Sequence, residues 1–154
     1  PQYFGNTPFA TANAQLYSGN GHNGIDLKAT IGTPVKAALS GMIVGTGNTD
    51  LVRRCYSLGK WILVKHPDGL STLYAHLSLQ TVSAGAPVTT GQIIGYSGNT
   101  GYTTGPHLHF GVYASSGIEI KRFTNSRSCG GAILPVAVLS AYLNPLSYLP
   151  AAQI

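Results

Sequence analysis

His107 and His109 stand two residues apart in the run Gly105-Pro106-His107-Leu108-His109-Phe110, which reads as a β-strand. On a strand, side chains at i and i+2 leave the same face. The two imidazoles therefore share one space, with their Cα atoms ~7 Å apart. Imidazole is the commonest metal ligand and the commonest general base near neutral pH. The chain has only five histidines and four acidic residues, so this pair draws on a scarce supply.

A metal site needs a third ligand, preferably an anionic one. Gly21-His22-Asn23-Gly24-Ile25-Asp26-Leu27 offers it. A straight strand would hold His22 and Asp26 ~13 Å apart. Asn23-Gly24 is a favoured tight-turn pair, and a bend there brings the two side chains together. His22, Asp26 and one histidine of the pair then make a His₂Asp set. Three protein ligands and an open position is the pattern of a catalytic zinc site; structural sites are closed by four. These nitrogen and oxygen donors suit zinc best, with manganese, cobalt and iron as alternatives.

His76, in Leu73-Tyr74-Ala75-His76-Leu77-Ser78, falls at a strand end. It and the remaining member of the pair are left for proton transfer. Asp68 belongs to a turn, and Asp50 and Glu119 to loops. His66, just before Pro67, is expected to be exposed and without function. No Gly-x-Ser-x-Gly marks a serine nucleophile. The run Gly95-Tyr96-Ser97-Gly98-Asn99-Thr100-Gly101 lacks the Gly-Lys-Ser/Thr ending of a phosphate loop, and is read as a wall of the site.

The elements that must position these residues are short strands. Pro34–Ala37, Met42–Val44, Trp61–Val64 and Gln92–Ile94 are apolar runs bounded by Gly, Pro, Asn or Asp. His66-Pro67-Asp68-Gly69 is a turn, making a hairpin of Trp61–Lys65 with Leu70–Ala75. Helix is expected only near Val136–Leu143. Ile31–Val35 leading to Gly41–Gly45 is echoed by Ala84–Val88 leading to Gly91–Gly95, as if two related β-units were joined. Residues 1–20 read as an arm, 21–150 as one domain and 151–154 as a tail.

With 154 residues and 44% hydrophobic content, the chain can bury a core. Only 8% of residues are charged, against ~25% in ordinary domains. The net charge of +5 favours anionic partners. No basic stripe with interleaved aromatics appears, which argues against nucleic acid. Six of the nine basic residues lie in two segments: Arg53, Arg54 and Lys60, then Lys121, Arg122 and Arg127. Those segments also carry the two cysteines, Cys55 and Cys129, expected to form a disulfide in an oxidising compartment. Gly131–Leu143, interrupted by Pro135, is too short to span a bilayer. Beginning at Pro1, the sequence is expected to be a processed or excised piece.

Three motifs in one order carry a family resemblance: His22-x-Gly24-x-Asp26, Tyr74-x-His76-Leu77-Ser78, and Gly105-Pro106-His107-Leu108-His109-Phe110. The chain resembles the lysostaphin-type, or LytM-like, zinc metalloendopeptidases from about residue 21 to 113. The connecting Gly32-Thr33-Pro34-Val35 and Gly91-Gln92-Ile93-Ile94-Gly95 match as well. The resemblance implies one zinc ion on His22, Asp26 and His109, with His76 and His107 as the catalytic pair. It implies a compact, mainly antiparallel β domain with an open groove and little helix. It further implies cleavage of stem peptides or crosslinks of bacterial peptidoglycan, by a protein of the cell envelope, periplasmic or secreted. A monomer is expected. Tyr74 or Tyr102 would serve as a further donor to the oxyanion. Segments 46–60 and 115–131 depart from the family and read as elaborated loops. Two alternatives remain. One is a non-catalytic wall- or partner-binding module on the same fold. The other is a carrier domain, which the absence of a Met-Lys-Met or Asp-Lys-Ala tip disfavours.

Overall fold

The computed structural model describes residue 4 and residues 23–53, 55–123 and 129–148. His22, Arg54, Arg127, the tail and the arm other than Phe4 lie outside the described residues. Strands dominate. In chain order they are β1 (Ile25–Lys28), β2 (Pro34–Lys36), β3 (Gly41–Asn48), β4 (Lys60–Lys65), β5 (Leu70–Gln80), β6 (Pro87–Val88), β7 (Ile93–Ser97), β8 (His107–Ala114), β9 (Ile118–Arg122), β10 (Ile133–Ala137) and β11 (Tyr142–Leu143).

The main sheet runs β1-β8-β5-β4-β3-β6, with β11 on β8 and β7 bridging β5 to β2; every pair is antiparallel. The hairpin of β4 and β5 turns at Pro67–Gly69, as the sequence predicts, with Gly69 at φ +84°. The echoed units interlock. The first strand of each pairs with the second strand of the other, β2 with β7 and β6 with β3.

Both faces of the sheet are buried, which is why β4 reads as the unbroken apolar run Trp61-Ile62-Leu63-Val64. On one face Ile62, Val64, Tyr74, Phe110 and Val112 pack with Val35, Val88 and Ile94. Phe4 adds to this layer from the arm. On the other face Trp61, Leu63, Leu73, Ala75 and Tyr113 pack beneath Leu134, Ile118 and Ile120 of the β9–β10 ribbon. Cys55 and Cys129 are disulfide-bonded across a Cα–Cα distance of 4.4 Å. The bond ties the loop after β3 to the approach to β10.

Five expectations are corrected. Glu119 lies on β9 and not in a loop, and β5 continues past His76 to Gln80, so His76 is interior to a strand and not at its end. Val136–Leu143 is not helix. Val136 and Ala137 pair with Glu119 and Ile118, and a 3₁₀ turn and β11 follow. The apolar side chains there cover a sheet face, and Pro135 sits in a two-stranded ribbon, where its missing N–H costs little. His66 is buried, with Nδ1 2.8 Å from the Ser40 carbonyl and Nε2 2.8 Å from Thr72 Oγ1. Tyr74 is buried in the layer opposite the ribbon, accepting the Ala38 N–H at 2.9 Å. Among the described residues, no helix is long and apolar enough to cross a membrane.

Candidate active site

One transverse row of the sheet assembles the site. Asp26 on β1 stands opposite His109 on β8, and His109 stands opposite Ala75 on β5. These three side chains leave the face that buries Leu73 and Tyr113 farther along. His107, two residues before His109, joins them on that face.

Regular alternation would send His76 to the opposite layer with Tyr74. A bulge prevents this. Lys60 pairs with Leu77 and Ile62 pairs with Tyr74, so three steps of β5 answer two of β4. Tyr74 and Leu77 both enter the far layer. The extra residue lets His76 join Ala75 on the site face. His76 is the one non-glycine residue with positive φ among the described residues, at 61°. Its N–H donates to the Leu58 carbonyl at 2.8 Å.

The four side chains converge. His109 Nδ1 lies 3.0 Å from Asp26 Oδ1, and His107 Nε2 lies 3.5 Å from the same oxygen. The His76 ring centroid is 4.7 Å from that of His107 and 6.1 Å from that of His109. His76 and His109 are buried, and His107 and Asp26 are partly open to solvent. Gly24 makes room for the His109 ring. A Cβ there would lie 2.5 Å from the Phe110 carbonyl oxygen and 2.8 Å from His109 Cε1.

Carbonyl contacts fix two tautomers. His76 Nδ1 lies 2.7 Å from the Thr100 carbonyl oxygen, and His107 Nδ1 lies 2.9 Å from the Gly105 carbonyl oxygen. A carbonyl only accepts, so each Nδ1 carries a hydrogen, and in a neutral ring Nε2 is left as the acceptor. Burial lowers the His76 pKa to about 3, and His109 and His107 push in the same direction. His76 is therefore a neutral imidazole at physiological pH.

The described donors fit a zinc ion. A carboxylate oxygen and an imidazole nitrogen 3.0 Å apart approach the ~3.3 Å expected for two ligands on a tetrahedral zinc. Among the described residues, no group of three or more His, Cys, Asp or Glu side chains is placed to hold a metal ion by itself. The third ligand expected from sequence, His22, lies outside them. Asn23 and Gly24, the predicted bend, form one immediately before β1. Tyr74 does not face the site, and Tyr102 is partly exposed on the loop leading to His107. Sequence reasoning missed Thr100 and Leu58 because they act through backbone carbonyls, which leave no residue-type signal.

Comparison with known proteins identifies the family and the fold. The model of peptidase family M23 matches residues 20–121. The glycyl-glycine endopeptidase ALE-1 of Staphylococcus capitis is 40% identical over 80% of this chain and 30% of its own length. The peptidoglycan DD-endopeptidase ShyA of Vibrio cholerae is 43% identical over 58% of this chain and 19% of its own. The chain thus spans less than a third of these curated relatives. The catalytic domain of lysostaphin from Staphylococcus simulans superposes with a TM-score of 0.70 at 34% identity, covering 98% of this chain and 91% of that one. A zinc-containing peptidase from Vibrio cholerae superposes with a TM-score of 0.55 at 35% identity, covering 62% and 28%.

Proposed function

The chain belongs to peptidase family M23, and on that premise we propose that it hydrolyses peptide bonds in the stem peptides or crosslinks of bacterial peptidoglycan. The observation that carries this reading is the meeting of Asp26, His109, His107 and His76, with one carboxylate oxygen 3.0 and 3.5 Å from two imidazole nitrogens. Zinc would be held by His22, Asp26 and His109. When bound, it supplies an electrophile that polarises water and carbonyl oxygen.

The chain's own residues handle the protons. His107 and His76, each with Nδ1 committed to a backbone carbonyl, offer Nε2 to the attacking water and then return the proton to the leaving amine. In its protonated state, either ring donates to the oxyanion. The sequence has one glutamate, Glu119, and it stands outside the metal motifs, which leaves histidine as the candidate base. Glu119 lies on the β9–β10 ribbon, paired with Lys121 at 2.8 Å. The substrate places the working protein in the envelope or outside the cell, where the Cys55–Cys129 disulfide persists. We read it as a monomeric domain spanning 21–150.

The test is digestion of purified peptidoglycan of several chemotypes by zinc-loaded protein, with and without chelator, reading new ends by mass spectrometry. New amino termini that vanish with chelator are expected. Release of no peptide from any chemotype would leave the fold as a binding module.

A further inference from the structure

We infer that Thr100 is a positioning residue for the proposed reaction, holding His76 in the orientation and tautomer that present Nε2; this rests on the peptidase reading above. Three hydrogen bonds meet at Thr100. Its carbonyl accepts from His76 Nδ1 at 2.7 Å. Its hydroxyl donates to the Leu77 carbonyl at 2.7 Å and accepts the Lys60 N–H at 3.0 Å. Leu77 and Lys60 are the register pair that closes the bulge. One residue thus grips both strands where the extra residue is inserted and aims its own carbonyl at the ring displaced by it.

The surroundings make this grip rigid. Gly59 packs its backbone on Thr100 so closely that a Cβ would lie 2.4 Å from the Thr100 carbonyl carbon. The next N–H, of Gly101, donates to Asp50 Oδ2 at 3.1 Å. A non-glycine residue at positive φ persists only where its surroundings over-determine it, and such residues gather at functional sites. For His76 those surroundings are the Leu58 carbonyl on its N–H and the Thr100 carbonyl on its ring. The hydroxyl is the part of Thr100 that a substitution can remove. Without it, Thr100 loses its two side-chain bonds to the strands, its carbonyl is held less firmly, and on this inference the ring gains the freedom to exchange Nδ1 and Nε2.

The test compares Thr100→Val, Thr100→Ala and Thr100→Ser in the zinc-loaded protein. Long-range ¹H–¹⁵N spectra of labelled histidine read the His76 tautomer, and cleavage of a peptidoglycan fragment gives kcat and KM. The expected result for Thr100→Val is a fall in kcat of ~10–100-fold with KM held, as for the loss of a supporting contact to a reacting group. The Nδ1-protonated signature of His76 should be lost along with kcat, and Thr100→Ser should restore both. Wild-type kcat in Thr100→Val, or a fall in kcat with the His76 signature intact, overturns the inference. If the valine variant does not fold, alanine against serine makes the same comparison. If the wild-type protein cleaves nothing, the peptidase reading falls and the tautomer alone decides the role of Thr100. An unchanged signature overturns it, and a scrambled one restored by serine supports it.

Discussion

Asp26 and His109 stand directly opposite each other across the β1–β8 pair, with Asp26 Oδ1 3.0 Å from His109 Nδ1. Their approach is set by strand register, so it does not depend on a flexible loop. Removing either donor should therefore empty the site without unfolding the sheet. His109→Ala is expected to bring bound zinc close to zero by elemental analysis and to abolish peptide release. Its circular dichroism should stay that of a β protein. Stoichiometric zinc in His109→Ala would remove His109 from the ligand set.

In the proposed mechanism His76 serves proton transfer and does not hold the metal. Its Nδ1 is bound to a backbone carbonyl, and its ring is tilted at 51° to that of His107, with centroids 4.7 Å apart. His76→Gln should keep zinc at wild-type stoichiometry while kcat falls ~10²–10⁴-fold, the usual contribution of a positioned acid or base. Zinc content and turnover measured on one preparation separate this outcome from loss of metal.

The pH dependence of stability should carry the mark of the same residue. Burial lowers the His76 pKa from 6.5 to about 3 in the fold. Between those values the unfolded chain binds a proton that the folded chain refuses. The contribution is thus fully present above pH ~6.5 and is lost as pH falls toward 3. Urea midpoints of the metal-free protein should drop over that window, and less steeply in His76→Gln. Parallel curves for the two proteins would show that His76 does not carry the effect.

Much of this site is legible in residue types and their spacing. The i, i+2 placement of His107 and His109, the turn signal at Asn23-Gly24 and the hairpin at Pro67–Gly69 all come from that source. The bulge at His76 is not legible there. Nothing in Tyr74-Ala75-His76-Leu77 marks an extra residue, because the bulge is a property of the pairing with β4. The division of labour between His107 and His109 comes from family resemblance, since alternation puts both on one face. Val136–Leu143 misleads because its apolar spacing suits a helix. His66 misleads because a histidine before proline in a turn usually points to solvent. Here Thr72 and Ser40 draw it inward.

The disulfide closes a loop across a sequence separation of 74 residues and joins the segment before β4 to the one before β10. Restricting the unfolded chain in that way stabilises a fold by ~2–4 kcal/mol. Cys55→Ser with Cys129→Ser should lose about that much in urea unfolding. Zinc binding should survive, because Asp26 and His109 sit on β1 and β8, outside the tied segments. A double variant as stable as the parent would make the bond structurally idle.

Tyr74 supplies the sharpest contrast with the expectation from sequence, which offers it as an oxyanion donor. Its hydroxyl accepts the Ala38 N–H at 2.9 Å and lies 3.0 Å from Thr72 Oγ1, in the layer away from His76, His107 and His109. Tyr74→Phe leaves the buried Ala38 N–H and the Thr72 hydroxyl short of a partner, which costs ~1–3 kcal/mol. The sheet between Tyr74 and His109 is unchanged by the loss of one oxygen atom. Unfolding midpoints should therefore fall while kcat and KM of the folded protein stay at wild-type values. A large fall in kcat at unchanged stability would return Tyr74 to the site and contradict the register of β5.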